Sequence, residues 1–90
     1  MTAKIIFTED AKKDIHLAKC YLDTIDKGEL FLDNLERPLE YIAFMPYAFQ
    51  VRYRQVRIVV LETFSYSIHY VVQSENLIII LNVLNQTKDF

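Results

Sequence analysis

Glycine is nearly absent from this chain, one residue in 90, and proline occurs only twice. So few chain breakers argue against disorder and against a fold built mostly of loops. A single glycine also excludes a Gly-rich phosphate-binding loop. One cysteine, Cys20, permits no internal disulfide, so nothing requires an oxidising compartment. Metal ligands are equally scarce: that cysteine and two histidines, with His16 and His69 on different elements. Met1-Thr2-Ala3-Lys4 lacks the apolar stretch of a signal peptide, and the run Leu77 to Leu81 is far too short to cross a bilayer. The expectation is a soluble, cytoplasmic chain with no cofactor, no metal and no membrane partner.

What is present is apolar and aromatic. The apolar fraction is 52%, and Phe and Tyr contribute six residues each. Ninety residues make one domain, 1–90, with an expected radius of gyration of about 12 Å. A globule of that size buries roughly 60–65% of its unfolded surface. The large side chains therefore suffice for a core and leave apolar surface over for a partner.

The formal net charge of −2 gives no global attraction to nucleic acid. Its distribution is uneven. Residues 1–45 carry 6 Lys/Arg against 9 Asp/Glu, and residues 46–90 carry 4 against 3. Three of the latter cations, Arg52, Arg54 and Arg57, lie within six residues. The ordinary explanation is a solvated helical half followed by a sheet half.

Apolar spacing supplies the elements. Ile5-Ile6-Phe7 reads as a short strand, and Thr8 is a good N-cap with Glu9 and Asp10 in the first turn behind it. Ala11, Ile15, Ala18, Leu22 and Ile25 then form one stripe on a helix of roughly 25 Å. Lys27-Gly28 breaks it. Phe31, Leu35, Leu39 and Ile42 predict a second helix, kinked at Pro38 and closed by Pro46. So short a connection makes the two helices an antiparallel hairpin. Val56 to Leu61, Tyr66 to Val72 and Leu77 to Leu84 predict three strands in a meander, with a turn at Ser74-Glu75-Asn76. Within the middle strand Tyr66, Ile68, Tyr70 and Val72 should dock on the helices, leaving Ser67 and His69 on the uncovered side. The fold class is α+β: a helical hairpin on a largely antiparallel β-sheet, in the order β-α-α-β-β-β.

Two readings of the polar residues compete. Arg52 and Arg54 fall on one side of an extended segment, Arg57 lies just beyond, and Ser67 and His69 share a face. Guanidinium groups bind phosphate bidentately and an imidazole moves protons near neutral pH, so such a face could hold a phosphodiester. Equally, these are the ordinary polar positions of a sheet with one buried side. His16 and Cys20, four apart on the first helix, could touch, but on or near a solvated face.

The order of elements resembles the RelE/ParE superfamily of toxins, together with Ala11-x-x-x-Ile15, Ala18, Tyr21-Leu22 and the Pro46 boundary. So do Val56-Arg57, the phrase Phe64-Ser65-Tyr66-Ser67-Ile68-His69-Tyr70 and the stretch Ile78 to Leu84. The likeness spans the chain and is nearest the plasmid-stabilisation, ParE-like branch. It implies a bacterial growth inhibitor neutralised by a cognate antitoxin. RelE-like members cleave messenger RNA in the ribosome without a metal, whereas ParE-like members block DNA gyrase. Where the cleaving members often carry an arginine, this chain has Ser67; where many place a histidine and then a basic residue, it has Asn85 and Lys88. Asparagine exchanges no proton near pH 7 and serine carries no cation. Loss of acid–base help alone costs roughly 10²–10⁴ in rate. The expectation is therefore a toxin that acts by binding a gyrase-type target. The alternatives are a RelE-type endoribonuclease and a degenerate toxin that serves only as a binding partner. If catalysis occurs, the resemblance points to His69, Tyr70, Arg57 and Lys88. Target or antitoxin binding would fall to Arg52, Arg54, Arg57 and Asn85.

Overall fold

The computed structural model describes residues 3–61 and 63–85. Strand β1 (Lys4–Phe7) leads through Thr8 into helix α1 (Glu9–Asp23), and helix α2 (Gly28–Phe44) follows. Thr8 caps α1 as expected, its hydroxyl accepting from the Ala11 amide at 3.0 Å. The stripe Ala11, Ala18 and Leu22 is buried, with Ile15 packed at its margin. Ile25 is not part of it. The helix ends at Asp23, Asp26 turns the chain with φ 60°, and Ile25 is left 57% exposed.

Gly28 opens α2 rather than lying between the helices, and it is there for space. A Cβ at this position would run into the Asp23 carboxylate and the Lys19 carbonyl. Phe31, Leu35 and Ile42 bury the inner face of α2 while the helix continues through Pro38. The two helices are antiparallel neighbours packed on one side of the sheet, as the short connection predicted.

The sheet has one strand more than the sequence suggested. After α2 come β2 (Val51–Tyr53), β3 (Val56–Val60), β4 (Tyr66–Ser74) and β5 (Leu77–Asn85), in spatial order β1-β5-β4-β3-β2. Only β1 and β5 are parallel. The segment holding Arg52 and Arg54 is thus not extended throughout, and the two do not share a side of one strand. It is a hairpin whose two turn residues, Arg54 and Gln55, have φ of 42° and 71°. Positive φ at both positions is what a tight hairpin turn needs, and Asn-Gly is the usual solution. With side chains of normal chirality, each such position costs about 1–2 kcal/mol.

The core lies between the helices and one sheet face. Phe31 meets Phe64 edge-on, with centroids 5.7 Å apart, and Tyr66 at 5.1 Å. Ile68, Tyr70, Ile78 and Ile80 are fully buried beneath them. At the other end β5 outruns β1, which stops at Phe7 opposite Ile80. Helix α1 serves the exposed edge instead. Thr8 donates its hydroxyl to the Leu81 carbonyl at 3.0 Å, and Asp14 accepts from the Val83 amide at 3.0 Å. The strand edge is closed by side chains where no neighbouring strand reaches.

Candidate functional site

Alternation along β4 decides which groups can meet. Tyr66, Ile68 and Tyr70 face the helices, so Ser67 and His69 face away from them. The expectation that this outer side leaves them open is not met: Ser67 is 0% exposed and His69 is 8% exposed. Across the sheet, Val60, Ser67 and Leu84 form one row, and Ile58, His69 and Asn82 form the next. The apolar members of these rows flank the two polar groups. Tyr53 adds a further flank from β2.

His69 is bonded at both ring nitrogens. Its Nε2 lies 2.9 Å from Ser67 Oγ and its Nδ1 lies 3.3 Å from the Tyr53 hydroxyl. A neutral imidazole has one donor and one acceptor, so one hydroxyl donates to it and the other accepts. Burial lowers the His69 pKa below the usual 6.5, and the Asp14 carboxylate only partly offsets this. The ring is therefore uncharged at neutral pH. Tyr53 is the member of the chain that reaches solvent, 48% exposed.

Tyr70 and Arg57 sit opposite one another across β3 and β4, on the helix side. Both are turned to the segment after α2. The Tyr70 hydroxyl donates to the Pro46 carbonyl at 2.8 Å, and Arg57 donates to the Phe49 carbonyl. The Arg57 guanidinium also lies over the Tyr47 ring, 5.1 Å from its centroid. Burial pushes the Tyr70 phenol up to about 12, against the pull of the Arg57 charge. The fold brings Tyr70 and Arg57 together and sets His69 on the other face.

Of the remaining predicted residues, Arg52 and Arg54 are exposed at the β2–β3 edge. Asn85 ends β5 opposite Tyr66, whose pKa is raised by burial and lowered in part by a hydrogen bond with Asn85. Lys88 lies outside the described residues. His16 Nε2 and Cys20 Sγ are 3.6 Å apart on the exposed side of α1. Among the described residues no three potential metal ligands cluster, and no helix is long and apolar enough to cross a membrane.

Sequence reasoning missed Tyr53 and Asp14. Tyr53 stands between two arginines, and that interleaving was its available signal. Asp14 gave none, because its role depends on β1 ending before β5 does. A groove of about 650 Å³ between α2 and β3 was also missed; Leu30, Pro38, Tyr41, Phe49 and Val60 line it. Asp33, Asn34, Arg37 and Thr63 line it as well, so the groove is part apolar and part polar.

The family model described as ParE toxin of type II toxin–antitoxin system, parDE, matches residues 5–90. A solved structure of the chromosomal ParDE TA system from P. aeruginosa is similar, with a TM-score of 0.81 at 16% identity. The match covers 93% of this chain and 96% of that one, and at that identity it speaks for the fold alone. No curated protein matches the chain.

Proposed function

The chain belongs to the ParE toxin family of type II toxin–antitoxin systems, and from that premise we propose that it arrests growth by binding DNA gyrase. Its place of action is the cytoplasm. The observation that carries this reading is the engagement of every described side chain that a nuclease would need. His69 is uncharged and bonded at both nitrogens, Tyr70 is buried with a raised pKa, and Arg57 is spent on a backbone carbonyl. A general acid or base works best with a pKa near ambient pH and a free path to its substrate. These groups instead hold strands and loop in place.

Binding, by contrast, is well provided for. The α2–β3 groove and the outer sheet face expose Tyr41, Val60, Tyr53 and Leu84 on a rigid frame. A cognate antitoxin neutralises the toxin by covering such surface with an amphipathic helix or an added strand. Because this acidic toxin has no broad cationic field, antitoxin affinity rests mainly on apolar burial and depends weakly on salt. A steep loss of affinity between low and physiological salt would contradict that.

The direct test adds purified protein to gyrase and relaxed plasmid. Supercoiling should stop, and the antitoxin should restore it. Primer extension after induced expression separates the RelE-type alternative, which predicts new 5′ ends inside codons. Unimpaired supercoiling together with such ends would replace the proposal. Unchanged growth with tight antitoxin binding would identify a degenerate toxin.

A further inference from the structure

The exposed cations of the β2–β3 hairpin have no role in the core or in the apolar docking proposed for the antitoxin. From Tyr41 to Leu61 the chain has no carboxylate, although the whole protein is acidic. Arg52 and Arg54 are exposed, and among the described residues neither has an ion-pair or hydrogen-bond partner. Between them Tyr53 presents its ring to solvent while His69 fixes its hydroxyl. The turn itself carries Arg54 and Gln55 at positive φ, where glycine or asparagine would fit without strain. Long polar side chains kept at strained positions point to a use for those side chains.

We infer that the hairpin Arg52-Tyr53-Arg54-Gln55 is a contact site for single-stranded polynucleotide. Guanidinium groups before and after a held aromatic ring, at the tip of the edge hairpin, offer cations and a stacking face to the phosphates and bases of such a strand. Each base offers a face to stack on Tyr53, and the amide of Gln55 can bond to a base edge or a sugar hydroxyl. Holding the tyrosine ring beforehand removes part of the ordering cost of binding. An acidic peptide would satisfy the two arginines but would give the ring no planar partner. Duplex DNA presents its bases already stacked, so its contact would be limited to phosphate. The inference goes beyond gyrase binding and does not depend on it.

The test is fluorescence anisotropy with the purified full chain and a labelled mixed-sequence 12-mer, as DNA and as RNA. The same DNA in duplex form and an Asp/Glu-rich peptide of equal charge serve as competitors. Single strands should bind in roughly the micromolar to 100-micromolar range, and two phosphate contacts give a log–log salt slope of about −1.4. The double variant R52E/R54E should lose at least tenfold in affinity. Tyr53→Leu should lose roughly fivefold to a hundredfold, the loss expected for one stacked base. Tyr53→Phe removes the tie to His69 but keeps the ring, and it should stay within a few-fold of wild type. The control K12E/K13E moves the same charge on α1 and should leave binding intact; circular dichroism checks that each variant folds. The inference is overturned if single strands do not bind at low salt. It is overturned equally if R52E/R54E and K12E/K13E weaken binding alike, or if the acidic peptide competes as well as the strand. Preference for DNA or RNA would identify the natural strand and would support the site in either case.

Discussion

The two faces of β4 are made by the same nine residues and solve opposite problems. On the helix side Tyr66, Ile68 and Tyr70 pack with Phe31, and apolar burial holds them. On the outer side Ser67 and His69 are buried as well, but their tie is a hydrogen-bonded chain that ends at a tyrosine on a neighbouring strand. The contrast shows that burial alone does not separate structure from function in a small sheet. His69, with each ring nitrogen bonded, ties β4 to β2, while Val60, Leu84 and Tyr53 remain exposed around it.

The strongest way to break this comparison is to cut the core. Phe31→Ala removes a ring that touches both Phe64 and Tyr66, and it should cost about 3–5 kcal/mol in urea unfolding. Val60→Ala, on the open outer face, should stay within about 0.5 kcal/mol. Equal losses would mean that both faces are core. Next comes the edge of β5. Asp14→Ala leaves the Val83 amide and the Asn82 side chain without their acceptor, a loss of about 1–3 kcal/mol, with faster amide exchange at Val83 as the local readout.

Two smaller effects sharpen the contrast through pH. Tyr70→Phe removes the bond to the Pro46 carbonyl and should cost about 0.5–1.5 kcal/mol at neutral pH. Because the folded phenol titrates near 12 and the unfolded one near 10, wild-type stability is full below pH 10 and is lost as pH rises toward 12. The phenylalanine variant should show a shallower alkaline decline, keeping the part due to buried Tyr66. His69 runs the other way. Its folded pKa is depressed, so the unfolded chain takes up the proton first, and stability present above about 6.5 falls as pH drops through the folded value. His69→Gln should flatten this acid limb in thermal melts between pH 7 and pH 5. A limb of unchanged slope would place the titrating group elsewhere.

Much of this fold could be read from spacing. Alternation from Tyr66 to Val72 and the helical stripes of α1 and α2 reported which side chains enter the core, because a period of two or 3.6 is a local property. Two features resisted for physical reasons. The hairpin between β2 and β3 has no glycine or asparagine at its turn, so Arg52 and Arg54 looked like one side of an extended segment. The burial of Ser67 and His69 could not be inferred either. For His69 it involves Tyr53, sixteen positions away and brought near only by that unrecognised turn. The separation of His69 from Tyr70 and Arg57 was implicit in the alternation, since adjacent strand residues point to opposite faces. Lys88, the last residue of that set, lies beyond the described chain.

Growth arrest by the His69→Gln chain tests most directly whether this toxin binds its target or cuts it. A target-binding toxin needs no imidazole to move a proton. The folded variant should therefore arrest growth as the wild type does, with gyrase still inhibited and transcripts intact. A folded variant that permits normal growth, beside a wild type that leaves new 5′ ends in messenger RNA, would contradict the account.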